Sequence, residues 1–533
     1  MRPMAVLLEP VALPSSFPSI SSPIETKSVP PPKARVRVSE AAAAAALFPM
    51  PIAMDTGGAP EPDEESVVFP RWAMLDRRGR TRCHNGLNAA RVAANKNKTA
   101  APVDMDGGPS CYVSFTLAAP QKRISCLNLH LPEEPPLTPA TPPAYAFVRA
   151  TDKNLVLFDI TNPSRSCYWD PPSDLFVYTA GGPSPSVQPL PMYTKERERP
   201  FLMDNLTTGI LRLAEDRYIV ADLNVYPKRK GNGMRAELCV FNSETGKWEI
   251  IRKLDPGNGG QFPELWSTDN VLACDGRFLC WIDYFSGVLL CDFSTSTPDS
   301  SALRFVPFPG ENNFSDEVRV ERYSPQRFRS VSITQGTMRF VHIDNDYHDS
   351  LHGAWQWLKL PERKRKVQRH QPCKKITIWT LNPMFEWEQH CVINLDYLWA
   401  QPGYKALDIH QRLPEFPIMT VDDPDVLCCL LREEDHGKGW MIMVDNHAHL
   451  RSCTPESESR GAEAHDNRFP DIPLLPTVFC KYLESPTGVA WIERKKRKRK
   501  RKLKSAKVKA WNLVTGVEHF GDAQIKDVMK MVY

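Results

Sequence analysis

The sequence predicts an all-β fold, a propeller-like repeat of six or seven blades, from three observations. The first is a β-meander from Trp266 to Pro309. Its short runs Val271–Cys274, Phe278–Ile282, Val288–Phe293 and Leu303–Phe308 are rich in β-branched and aromatic residues, and Gly276, the turn Asp283–Gly287 and Pro309 punctuate them. The second is a recurring turn: an acid or amide, two free positions, Ser or Thr, then glycine. It occurs at Asn205–Gly209, Asn242–Gly246, Asp283–Gly287 and Asn512–Gly516. An Asn or Asp side chain can bond its own backbone two residues on, and glycine takes the left-handed conformation freely, so each is predicted as a hairpin turn. The third is spacing: 37 residues from Gly209 to Gly246, 41 from Gly246 to Gly287, and 83 from Phe158-Asp159 to Phe241-Asn242. A period near 40 with four strands per repeat is that of a propeller blade. A pair of β-sandwiches is the rival.

The elements follow in order. Residues 1–65 hold twelve prolines and the run Ala41–Ala46, a composition that excludes a packed core and predicts disorder. Glu9 and Glu25 are the only acids before Glu40, as in transit peptides, but arginines are few and no amphipathic period is present. The propeller-like domain is predicted over 66–533. VVFPRWAMLD enters it, residues 79–110 read as a loop, and CYVSFTL, ISCLNLHL, AYAFVRA and NLVLFDI as strands. Residues 180–200 read as a long loop. FRSVSIT, MRFVHID, KITIWTL and EWEQHCVINL make the next set after Pro309. VLCCLLRE, WMIMVDN, TVFCKYL, GVAWIE and VKAWNLV supply the last two blades. Residues 452–466 read as a disordered insertion.

The block LWSTDNVLACDGRFLCWIDYFSGVLLCDF with LRFVPFP resembles a plant family, expanded in grasses, known as domain of unknown function 1618. FPRWAMLD, CYVSFTLAAPQKRISCLNLHLP and RYIVADLNV are similar to it as well. The likeness covers most of 66–400 and is most specific over 264–395, above all Trp266–Pro309. It implies a plant protein and a β-rich, propeller-like fold. It implies no activity and carries no catalytic residue over.

Composition narrows the class. The chain has 533 residues, 49 of them proline, about 9% against a usual 5% or so. No apolar run approaches the roughly 20 residues of a membrane span. The fourteen cysteines are scattered, many inside apolar strands, and read as small buried hydrophobes of a reducing compartment.

Charge is the most informative signal. Arg494, Lys495, Lys496, Arg497, Lys498, Arg499, Lys500, Arg501, Lys502 and Lys504 place ten cations in eleven residues, within a basic loop predicted over 493–509 that Lys507 and Lys509 extend. Without those twelve the chain holds 55 basic and 63 acidic residues, a balance of −8 in place of +4. So dense a run repels itself and must be solvated. Such tracts are read by nuclear import receptors or bind phosphate polyanions. Arg363, Lys364, Arg365 and Lys366 form a second basic loop, and Lys228–Lys230 a third. Each of the three is predicted to join the second and third strands of a blade, which would put all of them on one face.

Chemistry is otherwise sparse. His342, Asp344, Asp346, His348 and His352 gather metal-ligand types in what reads as an irregular loop, and His447 and His449 read as a pair on one strand face. No CxxC pair, G-x-S-x-G elbow or phosphate-cradling loop is present. The turn residues Asn242, Gly246, Asp283, Gly287, Asn512 and Gly516 are structural. No catalytic, cofactor or metal residue is named. The expectation is a non-enzymatic nuclear interaction scaffold with a basic face for acidic partners, the cytoplasm being the alternative compartment. A sequence-nonspecific nucleic-acid-associated protein is the second reading, and an enzyme at the propeller channel the third. Expected partners are unidentified proteins, an import receptor and nucleic acid through the basic loops.

Overall fold

Strands buried on both faces dictate the architecture. In the computed structural model, β15 (Phe278–Asp283) and β16 (Gly287–Asp292) are buried along almost their whole length, with no polar face left over. Alternate residues serve two different cores. Leu279, Trp281, Leu289 and Cys291 pack against Leu211, Ile219, Ala221 and Leu238 of the preceding sheet. Cys280, Ile282, Val288 and Leu290 pack against Val331, Met338 and Phe340 of the following one. A sheet sandwiched between neighbours on both sides is a propeller blade.

The structure describes residues 69–483, apart from 97, 106–109, 133–143, 162–172, 183, 192–205, 228–233, 255–262, 264, 295–302, 311–323, 345–373, 408–410, 433–438 and 456–473. Five sheets are four-stranded antiparallel meanders in chain order. Blade 2 is β6 (Ala146–Asp152), β7 (Leu155–Thr161), β8 (Ser173–Thr179) and β9 (Ser186–Pro189). Blade 3 is β10 (Thr208–Arg212), β11 (Tyr218–Pro227), β12 (Met234–Asn242) and β13 (Lys247–Leu254). Blade 4 is β14 (Asn270–Cys274), β15, β16 and β17 (Leu303–Pro307). Blade 5 is β18 (Arg329–Thr334), β19 (Thr337–Ile343), β20 (Lys375–Leu381) and β21 (Trp387–Asn394). Blade 6 is β22 (Glu415–Met419), β23 (Val426–Arg432), β24 (Gly439–Asp445) and β25 (Leu450–Pro455).

Blade 1 is built differently. Its order is β2 (Arg80–Cys83), β5 (Cys126–Leu131), β4 (Cys111–Thr116), β3 (Ala101–Val103), and β2 runs parallel to β5. Just upstream, β1 (Ala73–Leu75) pairs with β26 (Leu475–Thr477), more than 400 positions away in the chain. Leu75 also bridges Ser125, which leads into β5. Trp72 and Met74 pack on Phe416, Ile418 and Cys428 of blade 6, while Leu75 and Leu475 join the core between blades 1 and 2. The β1–β26 pair therefore ties the last blade to the first. The result is a six-bladed propeller arrangement, nearly all β.

Two of the predicted turns are present, but at different places in their blades: Asn242–Gly246 joins the third and fourth strands of blade 3 and Asp283–Gly287 the second and third of blade 4, so the 41 residues between their glycines are not a blade period. Asn242 Oδ1 accepts from the Glu244 backbone N–H at 2.9 Å, and Gly246, at φ +65°, donates to the Asn242 carbonyl at 2.8 Å. Asp283 accepts from the Phe285 N–H at 2.9 Å and the Ser286 hydroxyl at 3.1 Å. Gly287, at φ +155°, opens β16, and a Cβ there would stand 2.3 Å from the Val306 carbonyl oxygen.

Other expectations are corrected. Gly209 lies inside β10 rather than in a turn; a Cβ there would meet Val271 Cγ1 at 2.5 Å, so the glycine serves blade-to-blade contact. Phe158-Asp159 lies in the second strand of blade 2 and Phe241-Asn242 in the third strand of blade 3, so the two pairs are not equivalent. The supposed loop 79–110 contains β2, the helix α1 (Leu87–Asn95) and β3. The supposed loop 180–200 contains β9. TVFCKYL supplies the end of β26 and a 3-10 turn, Phe479–Tyr482, not a blade strand. β25 runs to Pro455, so the first residues of the 452–466 segment are strand. GVAWIE and VKAWNLV, like residues 1–65, lie outside the described residues.

Among the described residues no helix is long and apolar enough to cross a membrane. All twelve described cysteines are free thiols; Cys239, Cys280, Cys291, Cys428 and Cys429 are buried as predicted, whereas Cys274, read the same way, is only partly buried.

Candidate functional site

The basic residues on which the functional reading rests fall outside the described residues: Arg494–Lys504 and Arg363–Lys366, together with Asn512 and Gly516. Their bracketing strands are informative for two of the three basic segments. Lys228–Lys230 lies between β11 and β12, and Arg363–Lys366 between β19 and β20. Both intervals join the second strand of a four-stranded meander to the third, and in a propeller such connections leave on the same face.

The opposite face, made by the turns between first and second strands, is described and is tied into a collar. The Arg212 N–H donates to Asp152 Oδ2 at 2.7 Å, and Lys153 Nζ donates to the Arg212 carbonyl at 2.9 Å, joining blades 2 and 3. Cys274 Sγ of blade 4 contacts the Gly336 carbonyl of blade 5 at 3.8 Å. Gln335 donates to the Val421 carbonyl at 3.3 Å and, through Nε2, to the Asp422 carbonyl at 2.7 Å, joining blades 5 and 6. Exposed carboxylates ride on these turns: Glu215 and Asp216 on blade 3, Asp275 on blade 4, and Asp422, Asp423 and Asp425 on blade 6.

Three arginines are buried on or beside the inner strands. Arg77 donates through Nη2 to Asn270 Oδ1 at 2.7 Å and through Nη1 to the Val148 carbonyl at 3.4 Å and to the Arg149 carbonyl. Arg149 is the extra residue of a bulge between Val148 and Ala150, and the bulge re-aims it. Its Nε donates to Asp159 Oδ2 at 2.6 Å and its Nη1 to Thr208 Oγ1 at 3.0 Å. Arg329 donates to the Tyr284 carbonyl at 2.6 Å and lies over the Phe340 ring, 5.3 Å from its centroid. Burial brings the Arg77 guanidinium down to about 10, with Tyr284 opposing, and raises the Asp159 carboxyl against the pull of Arg149. These groups bond one another and the backbone; as a set they lock the inner strands together. They went unmarked in the sequence, where the only signal is a lone arginine in an apolar strand, as in AFVRATD.

A second polar chain lies on blade 1. Ser114 Oγ and His130 Nε2 are 2.9 Å apart, and His130 Nδ1 and His84 Nε2 3.0 Å. Burial, then His84 and Arg82, push His130 down to about 4. Ser114 is fully buried, so no substrate reaches its hydroxyl.

The metal-ligand types resolve plainly. His342 and Asp344 are described, Asp344 pairing with Lys375 at 3.6 Å; Asp346, His348 and His352 lie outside. His447 and His449 sit in the turn after β24 rather than on a strand, where both backbone N–H groups donate to Asp445 Oδ1 at 2.9 Å. Among the described residues no three His, Cys, Asp or Glu side chains converge as a metal site.

Comparison with curated proteins returns no match. Three solved structures are similar at low identity. TolB from Acinetobacter baumannii is 10% identical, with 60% of this chain and 64% of that chain covered and a TM-score of 0.24, so the chain spans less than two thirds of that protein. The β-propeller domain of the Trilobed protease from Pyrococcus furiosus is 10% identical, with 60% and 84% covered and a TM-score of 0.27. MPT-4, a mannose phosphorylase from Leishmania mexicana, is 10% identical, with 59% and 84% covered and a TM-score of 0.17. A family model matches residues 281–428, from within β15 to within β23. Over that span the chain is similar to the family described as a protein of unknown function, DUF1618.

Proposed function

We propose that the chain is a non-enzymatic interaction scaffold of the plant nucleus, with basic segments that engage acidic partners. The observation that carries this reading is the segregation of charge. Twelve cations in residues 494–509 turn a chain of balance −8 into one of +4. Two further basic segments are bracketed by second and third strands of a rigid meander. A rigid ring that presents charged connections suits binding by loops on a fixed frame.

The run exceeds what an import receptor needs, and that surplus favours a second role, sequence-nonspecific association with nucleic acid. Imaging of tagged variants tests the compartment. The wild type is expected in the nucleus, and replacement of Arg494–Lys504 by Gly/Ser should return the protein to the cytoplasm. Nuclear retention of that variant, with loss on removing Arg363–Lys366 instead, would move the import signal to the second loop. A cytoplasmic wild type would end the nuclear reading.

A further inference from the structure

We propose that the collar face is a docking surface for the chain's own basic run, residues 494–504. This goes beyond the reading above: it makes import and polyanion binding self-limiting, because the run is held by the opposite side of the ring until an acidic partner competes for it.

Three independent observations converge. First, the collar is acidic across several blades. Glu215, Asp216, Asp275 and Asp422 are exposed on its turns, and Glu386 is exposed on the turn between the third and fourth strands of blade 5, on the same face. Described cations on those turns are largely engaged. Lys153 donates to the Arg212 carbonyl, Arg277 pairs with Asp292, and Arg217 lies 3.6 Å from Glu244.

Second, the described chain ends on this face. The turn of blade 2 between β8 and β9 is bound to the collar: the Ala180 N–H donates to the Asn154 carbonyl at 2.8 Å, and Asn154 Nδ2 returns a bond to the Ala180 carbonyl at 3.1 Å. Next to it, a Cβ on Gly181 would stand 3.3 Å from the Tyr482 carbonyl oxygen. Leu483 therefore leaves the ring beside Asp152 and Lys153.

Third, the run begins close by in the sequence. Residues 484–493 separate Leu483 from Arg494, a tether that reaches about 30 Å or more when extended. Tethering holds the run near the collar at an effective concentration in the millimolar range. Ten cations facing a rim of carboxylates gain by Coulomb attraction that salt screens. The two other basic segments have no such route, since both are bracketed by strand ends on the opposite face.

The test uses a fluorescent peptide with the sequence of residues 494–504, added in trans at low salt to full-length proteins. With the run replaced by Gly/Ser the collar is open, and the peptide should bind about tenfold tighter than to the intact chain, whose own run competes. On the Gly/Ser background, Asp275→Asn with Asp422→Asn should weaken binding about threefold or more. The charge-matched pair Glu249→Gln with Glu388→Gln, on outer strands, should change it by less than about twofold.

Equal binding to intact and Gly/Ser chains overturns the proposal. So does an equal effect of the two pairs, or no binding at all. Concentration-dependent dimerisation of the intact chain in sedimentation overturns it too, by assigning the run to a neighbouring copy. Thermal melts of each variant separate loss of fold from loss of docking. None of these outcomes alters the imaging result above, so the two readings fail independently.

Discussion

Blade 4 and blade 1 solve the same packing problem with opposite chain logic. Blade 4 is one uninterrupted meander, β14 to β17, in which each strand pairs with its sequence neighbour. Blade 1 borrows β2 in parallel from upstream and leans on β1, which pairs with a strand at the far end of the described chain. Local pairing costs little loop entropy, whereas closure of a ring must wait for distant segments to meet. Blade 4 should therefore be the robust part of the molecule and the β1–β26 junction the part that opens first.

The largest expected effect breaks blade 4 from within. Gly287→Ala forces a Cβ to 2.3 Å from the Val306 oxygen, which only a backbone shift relieves. It should cost about 3 kcal/mol or more, read as a drop in the denaturant midpoint. Next, Met74→Ala should cost about 2 to 4 kcal/mol. Met74 already borders a cavity of about 10 Å³ with Phe416, Ile418 and Leu430, so the site cannot collapse neatly. Hydrogen exchange in that variant should quicken at β1 and β26 far more than at β15. Uniform quickening would show that closure and blade 4 open together.

Acid should sharpen the same contrast. His130 of blade 1 titrates near 4 in the folded protein, depressed mainly by burial, while an unfolded histidine titrates near 6.5 or so. Between about 6.5 and 4 the unfolded chain takes up a proton that the folded chain refuses. Stability therefore falls as pH drops through that window and levels off below it, by about 3 kcal/mol in all. His130→Gln should flatten this dependence; an unchanged pH profile would remove His130 from the account.

The two smallest effects lie at exposed turns. Gly246→Ala meets nothing within 4 Å, so only the left-handed φ is penalised, at about 1 kcal/mol. Asp292 is held down to about 2 by its bonds from Arg277 and Ser294. A depressed carboxyl stabilises above its unfolded value, and that contribution is lost as pH falls from about 4 towards 2. Arg277 is half exposed, so Asp292→Asn should cost well under 1 kcal/mol or so at neutral pH.

The same contrast governs what could be read from the chain. Blade 4 was legible because its strands, turns and stop signal are contiguous, and Asp283 and Gly287 carry turn chemistry that few other residues supply. β2 was not: Arg-Thr-Arg-Cys has no apolar alternation, and its partner is reached only through the fold. α1 buries just Ala90 and Ala94 and leaves Leu87 and Val92 exposed, so it shows no stripe. Phe158-Asp159 was matched to Phe241-Asn242 by its spacing of 83 residues, yet the role of Asp159 is to balance a bulged arginine ten residues earlier. At the candidate site the basic run was visible in composition alone. The acidic collar was not, because its carboxylates are spread singly over turns that only the ring brings together.

The central claim is that a rigid ring carries a charged run that binds polyanions. Its most direct test is the salt dependence of single-stranded DNA binding by the intact chain and by the chain with Arg494–Lys504 replaced by Gly/Ser. The melting temperatures should agree, and the slope of log K against log salt should be shallower by several charges in the replaced chain. Equal slopes, or a replaced chain that no longer melts cooperatively, would contradict it.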